Sequence, residues 1–295
     1  MVHSAAFFDL DKTVIAKSSA LAFGRPFYRD GLITRRDVLK AAYAQFVFLI
    51  AGANEQQMTG MRDYMAKLCQ GWRVDQVRQI VAETFHDLID PYVYAEAAAL
   101  IERHRSLGRD VYLVSSSGEE MVEPIGEMLG VDGVIATRMV VAEGCYTGEV
   151  DFFAAGPNKA AAIRDLAERH GYQLDACYAY SDSITDVPLL EAVGHPHAVN
   201  PDRALRRLAA EHAWPLLIFR HPISLRRRWQ AMQPVAVPAV VAIGVGAAIA
   251  LAGLFWHDRH RRRSARAELR SKHFHNSGAI SAGEATARPE PQPVT

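Results

Sequence analysis

The sequence predicts an α/β fold: a mostly parallel sheet interrupted by a helical insertion and followed by one C-terminal apolar helix. Three observations lead there. From Arg109 onward, short apolar stretches alternate with helical ones, which implies βαβ units and a parallel sheet. Residues 18–108, between the first such strand and the second, read as helix throughout. Near the end, Val235–Trp256 is a run of 22 residues without a charge.

The elements are taken in chain order. Ala5–Phe8 is short, apolar and ends at Asp9, the pattern of a buried strand. Helical periodicity covers residues 35–52, 54–72, 74–89 and 94–108, the last stopped by Gly108. Val111–Val114 is a strand that runs into the serine cluster Ser115–Ser117, and residues 119–130 form a helix. Residues 133–150 read as a hairpin with Glu143-Gly144 in its turn. Then come a helix over 158–171, a strand over 176–183, a helix over 186–194, a strand over 196–200, a helix over 202–213 and a final strand over 214–220. The expected organisation is an α/β core of residues 1–17 and 109–222, a helical cap of residues 18–108, a membrane helix over 235–256 and a basic, then disordered, tail over 257–295.

Composition narrows the function classes. The chain has 295 residues, 49% hydrophobic and 22% charged, with 33 basic against 33 acidic side chains. That balance lacks the electrostatic footprint of a nucleic-acid binder, so no nucleic acid is expected. Cys69, Cys145 and Cys177 are scattered without C-x-x-C spacing, which suits a reducing compartment. No basic-then-apolar leader opens the chain, so the catalytic part is expected to be cytoplasmic. As a helix, Val235–Trp256 would rise about 33 Å, the thickness of a bilayer core, with Trp229 and Trp256 near its ends. Its flanks are basic: Arg220 and Arg226–Arg228 precede it, and residues 257–272 hold seven Arg or Lys against two acids. The expectation is an enzyme held at the inner face of the cell membrane, with a helix lying on anionic lipid as the alternative. The oligomeric state is not legible.

In parallel sheets, ligands bind at the carboxyl ends of the strands. Three expected strands deliver polar residues there: Asp9, Ser115 and Ser181-Asp182. Each has an ordinary structural explanation as well. Asp9 and Asp11 suit a strand-ending turn, Ser115–Ser117 and Asp182 or Asp186 suit helix caps, and Lys159 suits a solvated helix position.

Taken together, the motifs resemble the haloacid dehalogenase (HAD) superfamily, in its phosphoserine phosphatase-like subfamily and a group of membrane-associated actinobacterial members. Asp9-Leu10-Asp11-Lys12-Thr13 resembles its first motif, Ser115 after "VYLV" its second, Lys159 its third, and Asp182 with Asp186 its fourth; "AVNPD", residues 198–202, resembles the segment beyond the fourth. The resemblance spans residues 5–220 and implies a parallel-sheet core with a helical cap that closes over the site and reads the substrate. It also implies a Mg²⁺-dependent phosphomonoesterase. Asp9 would be the nucleophile and Asp11 the general acid and base, while Lys159 and Ser115 would hold the phosphoryl oxygens. Mg²⁺ would be bound by the Asp9 and Asp182 carboxylates and the Asp11 carbonyl, which suits a hard ion that keeps its waters. Asp186, four residues beyond Asp182 on one helical face, would orient a metal water or Lys159, with Ser116 in support.

The implied substrate is a small or lipid-derived phosphate monoester. The segment Val14–Phe23 holds no acid to read an amino acid, the second motif continues "SSSGEE", and the fourth opens on Ser181, all of which disfavour phosphoserine. Phe23, Phe27, Tyr28, Tyr43, Phe46 and Phe48 could pack the cap or line an apolar groove. A phosphotransferase and a membrane-tethered regulatory protein with little turnover are the alternatives.

Overall fold

The computed structural model describes residues 3–34 and 55–224. The helix expected over 35–52, Tyr43, Phe46 and Phe48, the apolar segment Val235–Trp256 and the tail from His257 lie outside the described residues. Among the described residues, no helix is long and apolar enough to cross a membrane.

A seven-stranded sheet organises the chain. Its strands are β1 (Ala5–Asp9), β3 (Asp110–Gly118), β4 (Gly133–Ala142), β5 (Cys145–Phe152), β6 (Tyr178–Ser181), β7 (His195–Val199) and β8 (Leu216–Leu217). They lie in the order β5-β4-β3-β1-β6-β7-β8 and are parallel except for the β4–β5 hairpin. The expected hairpin turn is present, and Glu143 (φ 52°) and Gly144 (φ 77°) both take the left-handed backbone that a tight two-residue turn requires. A second, two-stranded sheet, not expected from the sequence, joins β2 (Val93–Tyr94) to β9 (Pro222–Ile223).

The central strand β1 is buried along its whole length, as a parallel strand covered on both faces must be. Ala6 and Phe8 join one core cluster, and Ala5 and Phe7 the other. The Phe8 side is covered by α5 (Ala95–Ser106) and α6 (Glu119–Leu129), the Phe7 side by α7 (Pro157–His170), α8 (Val187–Glu191) and α9 (Arg203–Glu211). The helical insertion shows α1 (Ser19–Ala22), α2 (Gly24–Arg29), α3 (Glu55–Cys69) and α4 (Val74–Leu88). Its last expected helix, α5, packs on β3 beneath the sheet. Phe23 and Phe27 are buried in the core cluster, whereas Tyr28 is exposed.

The insertion is fastened to the sheet at a distance from its own chain crossings. Between α3 and α4, the Gly71 N–H donates to the Tyr146 carbonyl (2.8 Å), the Tyr146 N–H to Trp72 (3.0 Å) and the Val74 N–H to Gly144 (3.0 Å). The segment thereby lies along the start of β5.

Three boundaries differ from the sequence reading. The second core strand does not stop at Val114: β3 continues to Gly118, with an irregularity between Ser115, which pairs with Ala136, and Gly118, which pairs with Thr137. The final strand shrinks to Leu216–Leu217, because only those residues find partners on β7. The helix expected from Asp186 is split into a 3₁₀ turn, Ile184–Asp186, and the short α8.

One close approach gives a sharp test. A Cβ placed on Gly194 would sit 1.9 Å from the Asp175 carbonyl oxygen, a backbone atom that cannot swing aside. Gly194→Ala is expected to destabilise the protein by about 3 kcal/mol, read as a lowered midpoint of urea denaturation.

Candidate active site

Strand register brings the polar tips together. Asp9 lies opposite Val114, so Ser115 is one residue further along β3, and Phe8 lies opposite Tyr180, which sets Asp9 level with Ser181. β1 sits between β3 and β6, where the chain's connections diverge to either side, the place at which such sheets open a crevice. Beyond Asp9 the chain curls tightly. Lys12 adopts φ 62°, and the Leu10 carbonyl accepts from the N–H groups of Val14 (2.9 Å) and Ile15 (3.0 Å). That curl returns Asp11 toward the strand tip.

At the centre is a buried ion-paired chain. The Lys159 Nζ donates to Asp9 Oδ1 at 2.6 Å and to Asp186 Oδ2 at 2.8 Å, and the Ser181 hydroxyl also donates to Asp186 Oδ2, at 2.7 Å. Lys159, Asp9 and Asp186 are all buried. Burial works against the lysine's charge, but the carboxylates of Asp186 and Asp9 outweigh it and hold the ammonium above its usual range. Asp9 is pushed well upward, first by burial and then by Asp186 and Asp182, with Lys159 opposing.

Asp11 is held from two sides. Its Oδ1 accepts from the Ser19 N–H at 2.7 Å, and its Oδ2 from the Ser117 hydroxyl at 3.3 Å. The two serine hydroxyls share a 2.7 Å hydrogen bond. Burial raises the Asp11 carboxyl against these bonds. Ser115 is buried, and its Oγ accepts from the Ser117 N–H at 3.2 Å, while Ser116 is exposed and lends its carbonyl to Thr137 (2.8 Å).

Sequence reasoning singled out Ser116 and missed Ser117. The period-2 alternation of a strand that continues past Val114 was the available signal, since it turns Ser115 and Ser117 to one face. Ser19 carried no comparable signal.

Asp182 follows β6 directly. Its carbonyl accepts from the Asp202 N–H at 2.8 Å, and Asp202 also caps α9 through the Leu205 N–H (2.7 Å) and accepts from Ile184 N–H (3.0 Å). Burial raises the Asp182 carboxyl to about 7; Lys12 opposes this and Asp186 adds to it. Asp182 and Asp186 do not share a helical face, because Asp182 precedes the 3₁₀ turn that ends at Asp186. Asp186 is turned to Lys159 instead.

The donor set suits a hard cation. Three largely buried carboxylates gather here: Asp9 and Asp186 share the Lys159 ammonium, and Asp182 is opposed chiefly by Lys12. Among the described residues, no group of three or more His, Cys, Asp or Glu side chains is placed to hold a metal ion by itself. A site of two carboxylates completed by a backbone carbonyl and waters is what Mg²⁺ accepts.

The ion-paired chain can be tested without substrate. In EDTA, Lys159→Met should lower stability by about 3 kcal/mol, because it strands two buried carboxylates. Those carboxylates would then titrate above their unfolded values, so the deficit should shrink as pH falls and the folded state takes up protons. Urea melts across pH would show it.

Comparison with known proteins agrees with this geometry. Residues 6–191 match the haloacid dehalogenase-like hydrolases. The chain is 61% identical over 262 residues to an "inhibition of morphological differentiation protein" of Streptomyces azureus, covering 88% of this chain and 95% of that protein. It is 56% identical over 245 residues to a "probable phosphatase" of Mycobacterium tuberculosis, covering 83% and 85% of the two chains. A phosphoserine phosphatase solved as a phospho-aspartyl intermediate analogue shares the fold, with TM-score 0.54 at 19% identity over 79% of this chain and 100% of that one. The chain belongs to the haloacid dehalogenase-like hydrolases, a family in which it has relatives named as phosphatases.

Proposed function

We propose that the chain hydrolyses small or lipid-derived phosphate monoesters through an aspartyl-phosphate on Asp9. The observation that carries this is the Asp9 carboxylate at the tip of the central strand, held by the buried Lys159 at 2.6 Å with Asp11 two residues on.

Asp9 attacks phosphorus through a carboxylate oxygen, forming an acyl phosphate (a mixed anhydride) and breaking the bond to the leaving oxygen. The raised Asp11 carboxyl delivers its proton to that oxygen, then takes one from the water that attacks phosphorus next. Inorganic phosphate leaves and both carboxyl groups are restored. Lys159 neutralises charge on the phosphoryl oxygens, and Ser115 hydrogen-bonds one of them. Asp186 and Ser181 keep Lys159 in place. Asp9 and Asp182, with the Asp11 carbonyl, would hold Mg²⁺, which supplies further charge neutralisation when bound. The segment Val14–Phe23, where the chain enters the insertion, offers no acid to an amino group, which favours substrates other than phosphoserine.

Asp9→Asn is expected to cut p-nitrophenyl phosphate turnover by at least ~10³-fold with the melting curve preserved. EDTA should abolish wild-type turnover and Mg²⁺ restore it. Near wild-type kcat in Asp9→Asn would refute the nucleophile.

We also propose that Val235–Trp256 attaches the enzyme to the membrane; its support is the uncharged 22-residue length between basic flanks. In cell fractionation, the full chain should stay in the membrane through a high-salt wash. Release by salt alone would show attachment by charge.

A further inference from the structure

The chain passes between sheet and helical insertion twice, and the two crossings are paired. Ile15 bridges Val93 antiparallel, the Ala16 N–H donates to the Tyr92 carbonyl (2.8 Å), and the Tyr94 N–H donates to the Val14 carbonyl (2.9 Å). Any movement of the insertion over Asp9 has to bend this pair. A third segment is built onto it. Strand β9, from the C-terminal end of the core, pairs antiparallel with β2, Val93 with Ile223 and Tyr94 with Pro222. The Ala95 N–H donates to the His221 carbonyl at 2.8 Å.

A two-residue strand has little stability of its own. Here it is secured from both ends. The Glu96 carboxylate accepts from the N–H groups of Arg220 (3.0 Å) and His221 (3.3 Å) and faces the His221 Nδ1 at 2.6 Å. The Ser224 hydroxyl donates to the buried Asp90. At the other end, Asn200 takes a left-handed backbone (φ 44°), and its side-chain amide pairs with both backbone groups of Phe219, at 2.9 and 3.0 Å. Asn200 stands two residues before Asp202, whose N–H holds the Asp182 carbonyl. The segment from Phe219 to Ser224 is therefore tied to the hinge on one side and to the Asp182 loop on the other.

We propose that Phe219–Ser224 is a strap on the hinge of the helical cap. Seated, it holds the hinge in the geometry that closes the site. Withdrawn, it lets the cap open. The proposal rests on the reading of the insertion as a cap over a phosphatase site.

The test is hydrogen exchange on the full chain, with p-nitrophenyl phosphate kinetics alongside. Glu96→Ala and, independently, Ile223→Asp should speed exchange at Ala95, which bonds the strap directly. They should also speed it about tenfold at Ala16 and Tyr94, which do not. The same variants should lower kcat/KM roughly fivefold, and Glu96→Gln, which keeps an acceptor for the backbone N–H groups, should recover most of it. Faster exchange at Ala95 with Ala16 and Tyr94 unchanged would overturn the proposal, because the strap would then leave without loosening the hinge. So would unchanged exchange at Ala95 in every variant. Asp9→Asn, in contrast, should stop turnover with hinge exchange unaltered. The strap and the phosphatase reading can thus fail separately.

Discussion

A lysine ammonium cannot be left buried without partners, and much of this structure is arranged to give Lys159 two. Desolvating one cation and two carboxylates costs several kcal/mol per ion, which their attraction offsets only in tight geometry. The contacts at 2.6 and 2.8 Å require three distant segments to meet. α7 must begin over the strand tips, which the turn at Gly156 (φ 53°) and Pro157 in the helix's first turn arrange. β1 must end at Asp9, and the loop after β6 must fold into a 3₁₀ turn so that Asp186 reaches inward. Asp182, largely buried and opposed by Lys12, adds a third carboxylate to this cluster.

The parts of this arrangement that were legible in the sequence are those where period and position coincide. Ala5–Asp9 reads as a strand because a central parallel strand is apolar on both faces, and Asp9 announces its end. Helices α3 to α7 read clearly because each repeats its apolar face over several turns. Other features obey rules too short to see. β2 and β9 are two residues each, and Pro222 argues against a strand unless it lies at an edge, as β9 does. The four-residue spacing of Asp182 and Asp186 suggested one helical face, but Pro188 in the first turn of α8 leaves the preceding residues to a tighter turn. Ser19 was invisible because its role arises from tertiary contact, 98 residues from Ser117 in sequence.

The serine pair shows how insertion and core share the site. Ser19 begins α1, the first helix after the chain leaves the sheet, and its N–H is already committed to Asp11. Ser117 approaches the same carboxylate from β3. A displacement of α1 would change the number of donors on Asp11, and with it the balance between burial and hydrogen bonding that sets its proton affinity. Entry to the insertion is thereby coupled to the proposed acid.

Fastening the α3–α4 connection along β5 has a consequence away from the chemistry. A seven-stranded sheet exposes two outer strands, each with unpaired backbone groups that invite another chain to add on. On one side, the N–H groups of Gly71 and Val74 and the carbonyl of Trp72 occupy the start of β5. On the other, β8 offers only Leu216 and Leu217. Among the described residues, one border is therefore occupied at its start and the other is only two residues long, which shortens the template that either could offer to an added strand.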